Sequence, residues 1–376
     1  MAADERTAAD AAEPQGSPPL VVSTSPHTRD ADSIPRIMWT VSFTLLPALA
    51  CAVAVFGPRA LWVTLLATVT AVATEAACQK LRKQPITVSD GSAVLTGLLV
   101  AFVLPVHAPW YVPVTASFVA IAVVKQAFGG LGCNIWNPAL MGRAFVLSAW
   151  AALVTAGAGW PVPYHHRAAT VDAVTAATPL TKAKKQLKMF NKGKTARLPV
   201  PKTREEAIAV LASIQAKGST PTRDLFVGRV GGCIGEVSAL ALLIGGMALI
   251  LLRYVKWQVP VLFIGTAALL SWALPLPVQA EGTRYYIWFA GQPLFHVLAG
   301  GLFLGAFFMA TDMVTSPVTT RGQVIFAIGC GVLTTVIRRY GGYPEGVCYA
   351  ILLMNTATPL IDRHTKPKVF GRRDKP

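Results

Sequence analysis

The sequence predicts an all-α integral membrane protein, and three observations support this fold class. Of the 376 residues, 53% are apolar and 14% are charged, whereas about a quarter of the residues are charged in an ordinary soluble domain. About ten apolar segments follow one another along the chain, separated by Pro, Gly or charged residues. Because a helix of roughly 20 residues crosses a hydrocarbon core of about 30 Å, each segment is predicted to span a bilayer.

The segments fall into two groups of five, which we take as two membrane domains. The first domain, 35–156, contains predicted spans 36–57, 60–79, 88–105, 110–128 and 137–156. The second domain, 233–362, contains predicted spans 233–252, 258–275, 293–311, 322–338 and 343–361. Outside them we expect a disordered tail at 1–34, a long loop at 157–232 and a basic tail at 363–376, because the first of these is acidic, rich in Ala, Pro and Ser, and has no apolar core.

The distribution of basic residues predicts how the chain is oriented. An even number of spans puts both termini on one side, and the basic C-terminal tail favours the cytoplasm for that side. The loop 157–232 is then extracytoplasmic. Within it, residues 181–220 carry ten Lys or Arg against two Glu, but the charge rule acts weakly on long loops. Since this stretch lacks interleaved aromatic residues, a solvated insertion or a dock for an acidic partner is favoured over a nucleic-acid site.

Two stretches of the first domain have counterparts in the second, in the same order. Residues 96–105 parallel 299–308, and the pair of stretches 128–132 and 137–142 parallels 340–344 and 355–359. Five plus five spans would make the two repeats inverted, an arrangement that commonly builds a site between broken helices near the midplane. The alternative is that Gly-rich membrane helices resemble one another because small residues serve helix packing.

Ionisable residues within or beside the apolar segments are the first candidates for function, since buried charge is costly in a membrane. Glu75 and Glu236 are candidates for proton or sodium passage, and the alternative is that they join helices. Arg143 needs a partner or a water-filled pocket, and a pair with Glu236 is one such solution. Asp90 and Asp312, the latter followed by Thr315 and Ser316, lie at helix ends and either line a pocket or ion route or cap their helices. We therefore treat Glu75, Glu236, Asp90 and Asp312 as ion-pathway candidates.

Cysteine and histidine give no sign of a metal site. The six cysteines are scattered singly, and we interpret them mainly as apolar packing residues, the alternative being a ligand shared with another chain. His107, His296 and the pair His165-His166 have no ligand-like spacing. We predict no metal.

One polar loop motif, Asp172-Ala-Val-Thr175-Ala-Ala-Thr178-Pro-Leu180, follows the fifth span. Proline after Thr178 disfavours helix at Thr178 and predicts an extended or turn conformation with an accessible hydroxyl. On these grounds alone a Thr-Pro pair is an ordinary turn.

Several ordered motifs along residues 25–370 give the chain a family resemblance. It resembles RnfD of the Rnf electron-transport complex and the related NqrB of the sodium-pumping NADH:quinone oxidoreductase, Nqr. The motifs are Ser25-Pro-His27, Ile34-Pro-Arg-Ile-Met38, Ser89-Asp-Gly91, Lys125-Gln-Ala-Phe-Gly-Gly-Leu-Gly132, Asn137-Pro-Ala-Leu-Met-Gly-Arg-Ala-Phe145, Ala310-Thr-Asp-Met-Val-Thr-Ser-Pro317 and Asn355-Thr-Ala-Thr-Pro-Leu-Ile-Asp362.

The resemblance implies a covalent cofactor. In that family a Ser/Thr-Gly-Ala-Thr loop carries FMN through a phosphoester on its last threonine, which corresponds to Thr178, with Ala176 in place of the usual Gly. Thr178 would anchor the flavin and take no catalytic part, and a flavin transferase would install FMN from FAD. A second, non-covalent flavin, riboflavin, is also implied. Further candidates for contact with a flavin are Asp172, Thr175, Arg143, Asn137, Thr315 and Ser316.

The function implied by the resemblance is that of an electron-relay subunit in the bacterial inner membrane. An Rnf complex couples electron transfer between ferredoxin and NAD⁺ to Na⁺ or H⁺ translocation, and its A, B, C, E and G proteins would be the partners. NqrB is the alternative, although this chain has only about 35 polar residues before its first span. A non-redox transporter or a structural scaffold would carry no flavin.

Overall fold

Each segment predicted to cross the membrane contains at least one helix in the computed structural model. The structure describes residues 32–155, 178–192, 200–218, 220–228, 230–281, 283–341 and 346–366. The elements below all belong to the compact unit Ile34–Pro376. The helical fold class is therefore confirmed, while the number of crossings, the domain boundaries and the inverted repeat stay predictions.

Seven helices form the first half of the unit. Predicted span 36–57 is divided at Leu45 into two helices, and Gly57, with φ +79°, followed by Pro58 separates the second from the long third helix. The helices are α1 (Ile34–Thr44), α2 (Leu46–Phe56), α3 (Pro58–Leu81), α4 (Ser92–Phe102), α5 (Tyr111–Phe118), α6 (Pro138–Ala149) and α7 (Ala151–Thr155). A 3₁₀ turn at Val88–Asp90 precedes α4, and a π-helical segment, Val119–Gln126, continues α5.

Three helices lie in the described part of the insertion between the two halves. The sequence did not predict them. They are α8 (Pro179–Asn191), α9 (Arg204–Gly218) and α10 (Thr222–Val227). Phe190 of α8 and Leu211 of α9 share a small apolar core with the strand residue Val278, so part of the insertion packs as a small folded layer.

In its described residues, the second half contains six helices and a short hairpin. A 3₁₀ turn, Ile234–Glu236, leads into the first helix. The helices are α11 (Ala239–Leu251), α12 (Gln258–Ala273), α13 (Pro293–Leu298), α14 (Leu302–Leu304), α15 (Thr320–Tyr340) and α16 (Val347–His364). Predicted span 293–311 is broken at Ala299–Gly301, and a π-helical segment, Gly305–Met309, follows α14.

The hairpin departs from the all-α prediction. Strand β1 (Leu276–Gln279) pairs antiparallel with β2 (Arg284–Ile287), and Leu276 lies opposite Ile287. Buried Leu276, Val278 and Ile287 face the small core of the insertion. The strands are four residues each, and their Val, Tyr and Ile favour an extended backbone. Such a short pattern is easily missed between two apolar spans.

Local sequence explains where several helices begin. Asn137 caps α6 by accepting from the backbone N–H groups of Ala139 (3.1 Å) and Leu140 (3.3 Å), and Pro138 occupies the first helical position. Thr319 caps α15 by accepting from Gly322 N at 3.0 Å. These caps satisfy backbone donors that would otherwise be costly in an apolar surrounding.

Contacts between helix ends sort into two groups, which we name the terminal end and the insertion end. The terminal-end contacts are Trp39 Nε1 to Ser89 O (3.2 Å), Arg82 Nη1 to Gln126 O (2.7 Å) and Val318 N to Asp362 Oδ1 (3.2 Å). The insertion-end contacts are Arg59 Nη2 to His107 O (3.3 Å), Ile234 N to Leu104 O (3.1 Å) and Lys184 Nζ to Arg338 O (3.0 Å). The long helices therefore run between these two ends.

Length and hydropathy agree with a membrane environment. Within the described residues, three helical stretches are long and apolar enough to cross a bilayer: Ile34–Phe56, Pro58–Leu81 and Thr320–Tyr340. Five shorter apolar helices accompany them: Ser92–Phe102, Tyr111–Gln126, Pro138–Ala149, Ala239–Leu251 and Gln258–Ala273. Small residues bring the helices close, since a Cβ on Gly97 would lie 2.5 Å from Thr68 Cα.

Candidate functional site

Thr178 caps helix α8. Its backbone is extended (φ −56°, ψ 152°), as the following proline predicts, and its Oγ1 accepts from the backbone N–H of Thr181 at 3.3 Å. The two threonine hydroxyls lie 2.7 Å apart. The residue is 4% exposed, so the expectation of an accessible hydroxyl is wrong for this structure: the hydroxyl turns toward the helix that it caps. Asp172 and Thr175 lie outside the described residues.

A cavity opens beside α8 at the insertion end. We call it the insertion cavity. Its walls are mainly apolar, and four basic side chains lie among its lining residues: Lys184, His296, Arg338 and Arg339. The apolar lining residues are Leu180, Ala183, Leu187, Leu211, Ile214, Leu276 and Phe295. An apolar pocket with a few convergent charged groups is the usual form of a small-molecule site.

The basic groups of the insertion cavity are held in place by backbone carbonyls. Lys184 Nζ donates to the carbonyl oxygens of Arg338 (3.0 Å) and Gly341 (2.5 Å). Burial, and secondarily the charge of Lys188, lower the pKa of Lys184 below its ordinary value. Arg339 Nη2 donates to Leu274 O, whereas Arg339 Nε is buried and has no hydrogen-bond partner among the described residues.

Arg338 closes the break in predicted span 293–311. Its guanidinium donates to three carbonyl oxygens, those of His296 (2.5 Å), Ala299 (3.1 Å) and Gly300 (2.7 Å). These carbonyl groups lie at or just beyond the C-terminal end of helix α13. The chain then turns at Gly300 and Gly301, which have positive φ angles of +74° and +62°. The cation therefore serves the unsatisfied C-terminal end of the broken helix.

A buried polar network joins three helical segments in the first half. Lys125 Nζ lies 2.7 Å from Glu75 Oε1 and 2.8 Å from Oε2, and both side chains are 2% exposed. Gln126 Nε2 donates to Glu75 Oε1 at 3.1 Å, and Lys125 also donates to Ser92 Oγ at 2.6 Å. Glu75, an ion-pathway candidate, is thus fully engaged in joining α3 to the π-helical segment.

Asp90 continues this network toward the terminal end. Its Oδ1 accepts from both the backbone N–H (2.8 Å) and the hydroxyl (2.7 Å) of Ser92, the first residue of α4. Since Ser92 Oγ accepts from Lys125 at the same time, an unbroken chain of hydrogen bonds runs from Asp90 to Glu75. Asp90 therefore stabilises the start of α4, as the capping interpretation predicts.

A second cavity, the terminal cavity, opens at the terminal end. Asp312 lies at its edge, where Oδ2 accepts from Thr315 Oγ1 (3.1 Å) and Oδ1 from Val314 N (3.4 Å). Ser316 N donates to Asp312 O at 3.1 Å. The polar lining residues are Ser92, Thr96, Lys125, Asn134, Asn137, Tyr254, Thr311 and Asp312. Thr315 and Ser316 do not line the cavity but shape the turn that presents Asp312.

Asn137 ties the two halves of the unit together. Its Nδ2 donates to Met309 O at 3.3 Å. With the amide of Asn355 turned so that both its groups are satisfied, Asn355 accepts from Asn137 N at 3.1 Å and donates to Ile351 O at 3.3 Å. These two asparagines occupy corresponding places in the predicted repeats, so their contact is one that a two-fold relation would produce.

Arg143 pairs with Glu236, the structural solution named from the sequence. Arg143 Nη1 lies 4.0 Å from Glu236 Oε1, with side-chain exposures of 7% and 6%. Arg143 Nη2 also lies 3.9 Å from the Sγ atom of buried Cys233. Glu236 therefore neutralises Arg143 between α6 and the 3₁₀ turn, and neither residue lines the insertion cavity or the terminal cavity.

Sequence reasoning missed Lys125, Lys184 and Arg338. Lys125 lies inside predicted span 110–128, so the rule that identified Arg143 would have identified it as well. Lys184 is hidden among the many basic residues of the insertion. Arg338 was assigned to the end of a span, and its role depends on carbonyls about forty positions away. In the described residues, His, Cys, Asp and Glu form no cluster suited to a metal ion.

The long apolar helices, the predicted span that is broken where Arg338 binds its carbonyls, and the cavities at both ends define a helical membrane protein. The chain belongs to the NQR2, RnfD, RnfE family, whose model matches residues 21–371.

Named relatives cover nearly the whole chain, and each is the D component of its complex. The chain is 46% identical to that of the Na⁺-translocating ferredoxin:NAD⁺ oxidoreductase complex of Acetobacterium woodii, over 94% of this chain and 95% of the relative. It is 45% identical to the proton-translocating counterpart of Clostridium ljungdahlii, over 94% and 97%. It is 39% identical to that of the ion-translocating oxidoreductase complex of Stutzerimonas stutzeri, over 92% and 94%. The family resemblance is confirmed.

Proposed function

We propose that this chain is the membrane-embedded RnfD component of an Rnf-type complex, which couples electron transfer between ferredoxin and NAD⁺ to Na⁺ or H⁺ translocation. The observation that carries the proposal is the identity of 45–46% to two such proteins over 94% of the chain. One of these relatives is named for Na⁺ and the other for protons, so the proposal covers either ion. The three relatives are all D components, which favours Rnf over the Nqr alternative.

The proposal includes covalent FMN on Thr178. The loop Thr175-Ala-Ala-Thr178 supports it, as does the position of Thr178 at the start of α8. A phosphoester there would place negative charge at a helix N-terminus, where the helix dipole and free N–H groups favour anions. The insertion cavity lies along the same helix, since Leu180 and Lys184 belong to its lining.

The residues of the insertion cavity fit a flavin. Lys184 and Arg339 would offset negative charge on the cofactor. Leu187 and Phe295 would supply apolar contacts to a bound flavin. When bound, FMN supplies reversible electron exchange, and the protein's own contribution is to fix its position and electrostatic surroundings. Thr178 then acts as the anchor.

A second, non-covalent flavin, riboflavin, also belongs to the proposal. We propose the terminal cavity for it, because polar residues such as Asn134, Thr311 and Asp312 lie there between apolar walls that include Leu99 and Phe308. Asp90 and Asp312 remain the candidates for contact with the coupling ion. We assign Glu75 and Glu236 a role in joining helices, since their charges are paired with Lys125 and Arg143.

The same proposal implies the location, orientation and partners of the chain. The complex would lie in a bacterial inner membrane, with both termini in the cytoplasm and the insertion 157–232 outside. Its partners would be the A, B, C, E and G proteins of the complex, and a flavin transferase would mature it from FAD. A non-redox transporter or a structural scaffold would need neither the transferase nor Thr178.

Flavin fluorescence of the denatured chain tests this proposal. The chain is expressed with a flavin transferase, denatured, separated by gel electrophoresis and viewed under flavin excitation. We expect fluorescence in the wild type and in Thr181→Val, and none in Thr178→Asn. Asparagine is as good an N-cap as threonine, so this variant removes the acceptor hydroxyl while keeping the helix start.

Two results would contradict the attachment. Fluorescence from Thr178→Asn would show that the flavin is attached to another residue. A dark wild type, with the transferase shown to modify a second substrate protein in the same cells, would remove the covalent flavin and favour the transporter or scaffold. The Rnf assignment itself is checked separately, by ferredoxin-dependent NAD⁺ reduction in membranes with and without the chain.

A further inference from the structure

Helix α8 carries a row of basic side chains, which we name the lysine ridge: Lys182, Lys185, Lys188 and Lys192. All four are exposed, and their spacing of three, three and four residues puts them on one side of the helix. At 1.5 Å per residue the ridge is about 15 Å long. This is the size of a small contact patch on a protein surface.

The ridge faces away from the membrane helices. The opposite side of α8, with Leu180, Ala183 and Leu187, lines the insertion cavity, and Lys184 on that side donates to carbonyls at the end of α15. At 3.6 residues per turn, the mean direction of the ridge is roughly 150° away from that of Leu180, Ala183 and Leu187. Lys188 is the ridge residue nearest the cavity side, one turn beyond Lys184. The ridge is therefore presented to the aqueous space and not to the ends of α13 and α15.

The ridge lacks counter-charges within the described part of the chain. No side-chain hydrogen bond or ion pair joins its four lysines to any residue that the structure describes. Two acidic side chains of the insertion end have partners outside the ridge: Glu206 accepts from the backbone of Lys202 at 2.7 Å, and Glu281 lies 3.8 Å from Lys202 Nζ. Like charges three and four apart on a helix repel one another, so an opposing acidic surface would be attracted to this row.

We propose that the lysine ridge is the docking surface for an acidic face of a partner protein that acts at Thr178. This inference rests on the proposed function, in which Thr178 receives or uses a flavin. Thr178 begins the same helix, and Lys182 is four residues, about 6 Å, further along its axis. The near end of the ridge is thus about one helical turn from the attachment residue.

The direction in which the ridge faces favours an acidic protein over an anionic lipid surface as its partner. The bilayer lies on the side of the long apolar helices, and the cavity side of α8 faces the ends of those helices. A soluble domain approaching from the extracytoplasmic space meets the ridge first. Charge complementarity of this kind speeds association and fixes orientation, and it weakens as salt rises.

Carbodiimide cross-linking of the purified complex tests the proposal, because this reagent joins a lysine amine to a carboxylate only when the two touch. In the wild type we expect cross-links from the lysine ridge to Asp or Glu of another polypeptide, identified by mass spectrometry. Changing all four ridge lysines to arginine keeps the charge but removes the amines, so the cross-links disappear while the complex stays assembled.

Changing the four ridge lysines to glutamine should weaken the binding of the partner protein. We expect the amount of partner retained on the chain at physiological salt to fall about tenfold. The matched control changes four other exposed basic residues of the insertion end to glutamine: Lys202, Arg204, Arg223 and Arg284. The control removes the same charge, and we expect it to keep the partner.

Three outcomes would overturn the proposal. The first is that the ridge lysines give no inter-chain cross-link while other lysines of the chain do. The second is that the glutamine variant keeps its partner at all salt concentrations. Alternatively, the glutamine variant loses affinity for vesicles containing anionic phospholipid but not for the partner, which would assign the ridge to the membrane surface. Flavin fluorescence at Thr178 is scored on the same samples, so a chain without flavin that still cross-links would refute the covalent flavin of the proposed function and not the dock.

Discussion

Lys125 and Glu75 form an ion pair of 2.7 Å in which both side chains are 2% exposed. The pair joins helix α3 to the π-helical segment that continues α5. In a low-dielectric interior such a pair is held by its own attraction and by further hydrogen bonds, here from Ser92 and Gln126. Removing one member leaves a buried charge without its partner.

The first prediction concerns this pair. We expect Glu75→Ala to destabilise the protein by about 3–5 kcal/mol, because Lys125 is left uncompensated. The double variant Glu75→Leu/Lys125→Met should be closer to the wild type, because it removes both charges and keeps most of the volume. Thermal unfolding in detergent, followed by fluorescence-detected gel filtration, measures both. A single variant as stable as the double one would refute the structural role of the pair.

Arg338 gives the second prediction. Its planar fork donates to three carbonyls around the break in predicted span 293–311, and lysine cannot reproduce that geometry. We expect Arg338→Lys to lower the free energy of unfolding by roughly 2 kcal/mol or more, given about 1.5–3 kcal/mol for a hydrogen bond to a charged group. Arg321→Lys, on the exposed side of the same helix α15, is the control. Equal melting temperatures for the two variants would contradict the prediction.

Much of the fold was predictable because its signals are local. Apolar segments of helical length located the membrane helices, and the span predicted to begin at residue 137 contains α6, which begins at Pro138. Arg143 and Glu236 were identified as partners since each is a charge inside an apolar segment. These inferences need only neighbouring residues and the cost of burying charge.

Other features depend on contacts that the sequence pattern does not contain. The partner of Glu75 lies 50 positions away at Lys125. The break at Ala299–Gly301 requires Arg338 from another helix, and the burial of Thr178 follows from the cap that it makes with Thr181. The β-hairpin was missed because its strands are four residues long and pack on an insertion whose folding was not foreseen.

The third prediction concerns close packing at Gly235, between the two halves. A Cβ there would lie 2.7 Å from Phe102 Cβ and 2.9 Å from Leu304 Cδ2, so Gly235→Ala requires α4 and α14 to move apart. We expect a loss of about 1–3 kcal/mol in the free energy of unfolding. Gly265→Ala is the matched control in helix α12, where a Cβ meets nothing within 4 Å. It should be neutral or stabilising by up to about 1 kcal/mol. Thermal unfolding of both variants tests this prediction. If Gly235→Ala melted at the same temperature as Gly265→Ala, the packing around Gly235 would be loose.

The last prediction concerns pH. His107 lies between α4 and α5, and burial lowers its pKa below the ordinary 6.5, while the charge of Arg59 lowers it further against a hydrogen bond with the backbone of Leu153. The unfolded chain therefore takes up a proton near pH 6.5 where the folded protein does not, so stability falls as the pH drops from 6.5 toward the lower folded pKa.

Replacing His107 with asparagine should remove this contribution. We expect the melting temperature of the wild type to fall more between pH 7.5 and pH 5 than that of His107→Asn, measured in the same detergent. Arg59→Gln should give an intermediate result, because loss of the nearby charge raises the pKa of His107 toward its ordinary value while burial still opposes protonation. If His107→Asn kept the full pH dependence of the wild type, that dependence would have to come from other titrating groups, since the two proteins differ only at this imidazole.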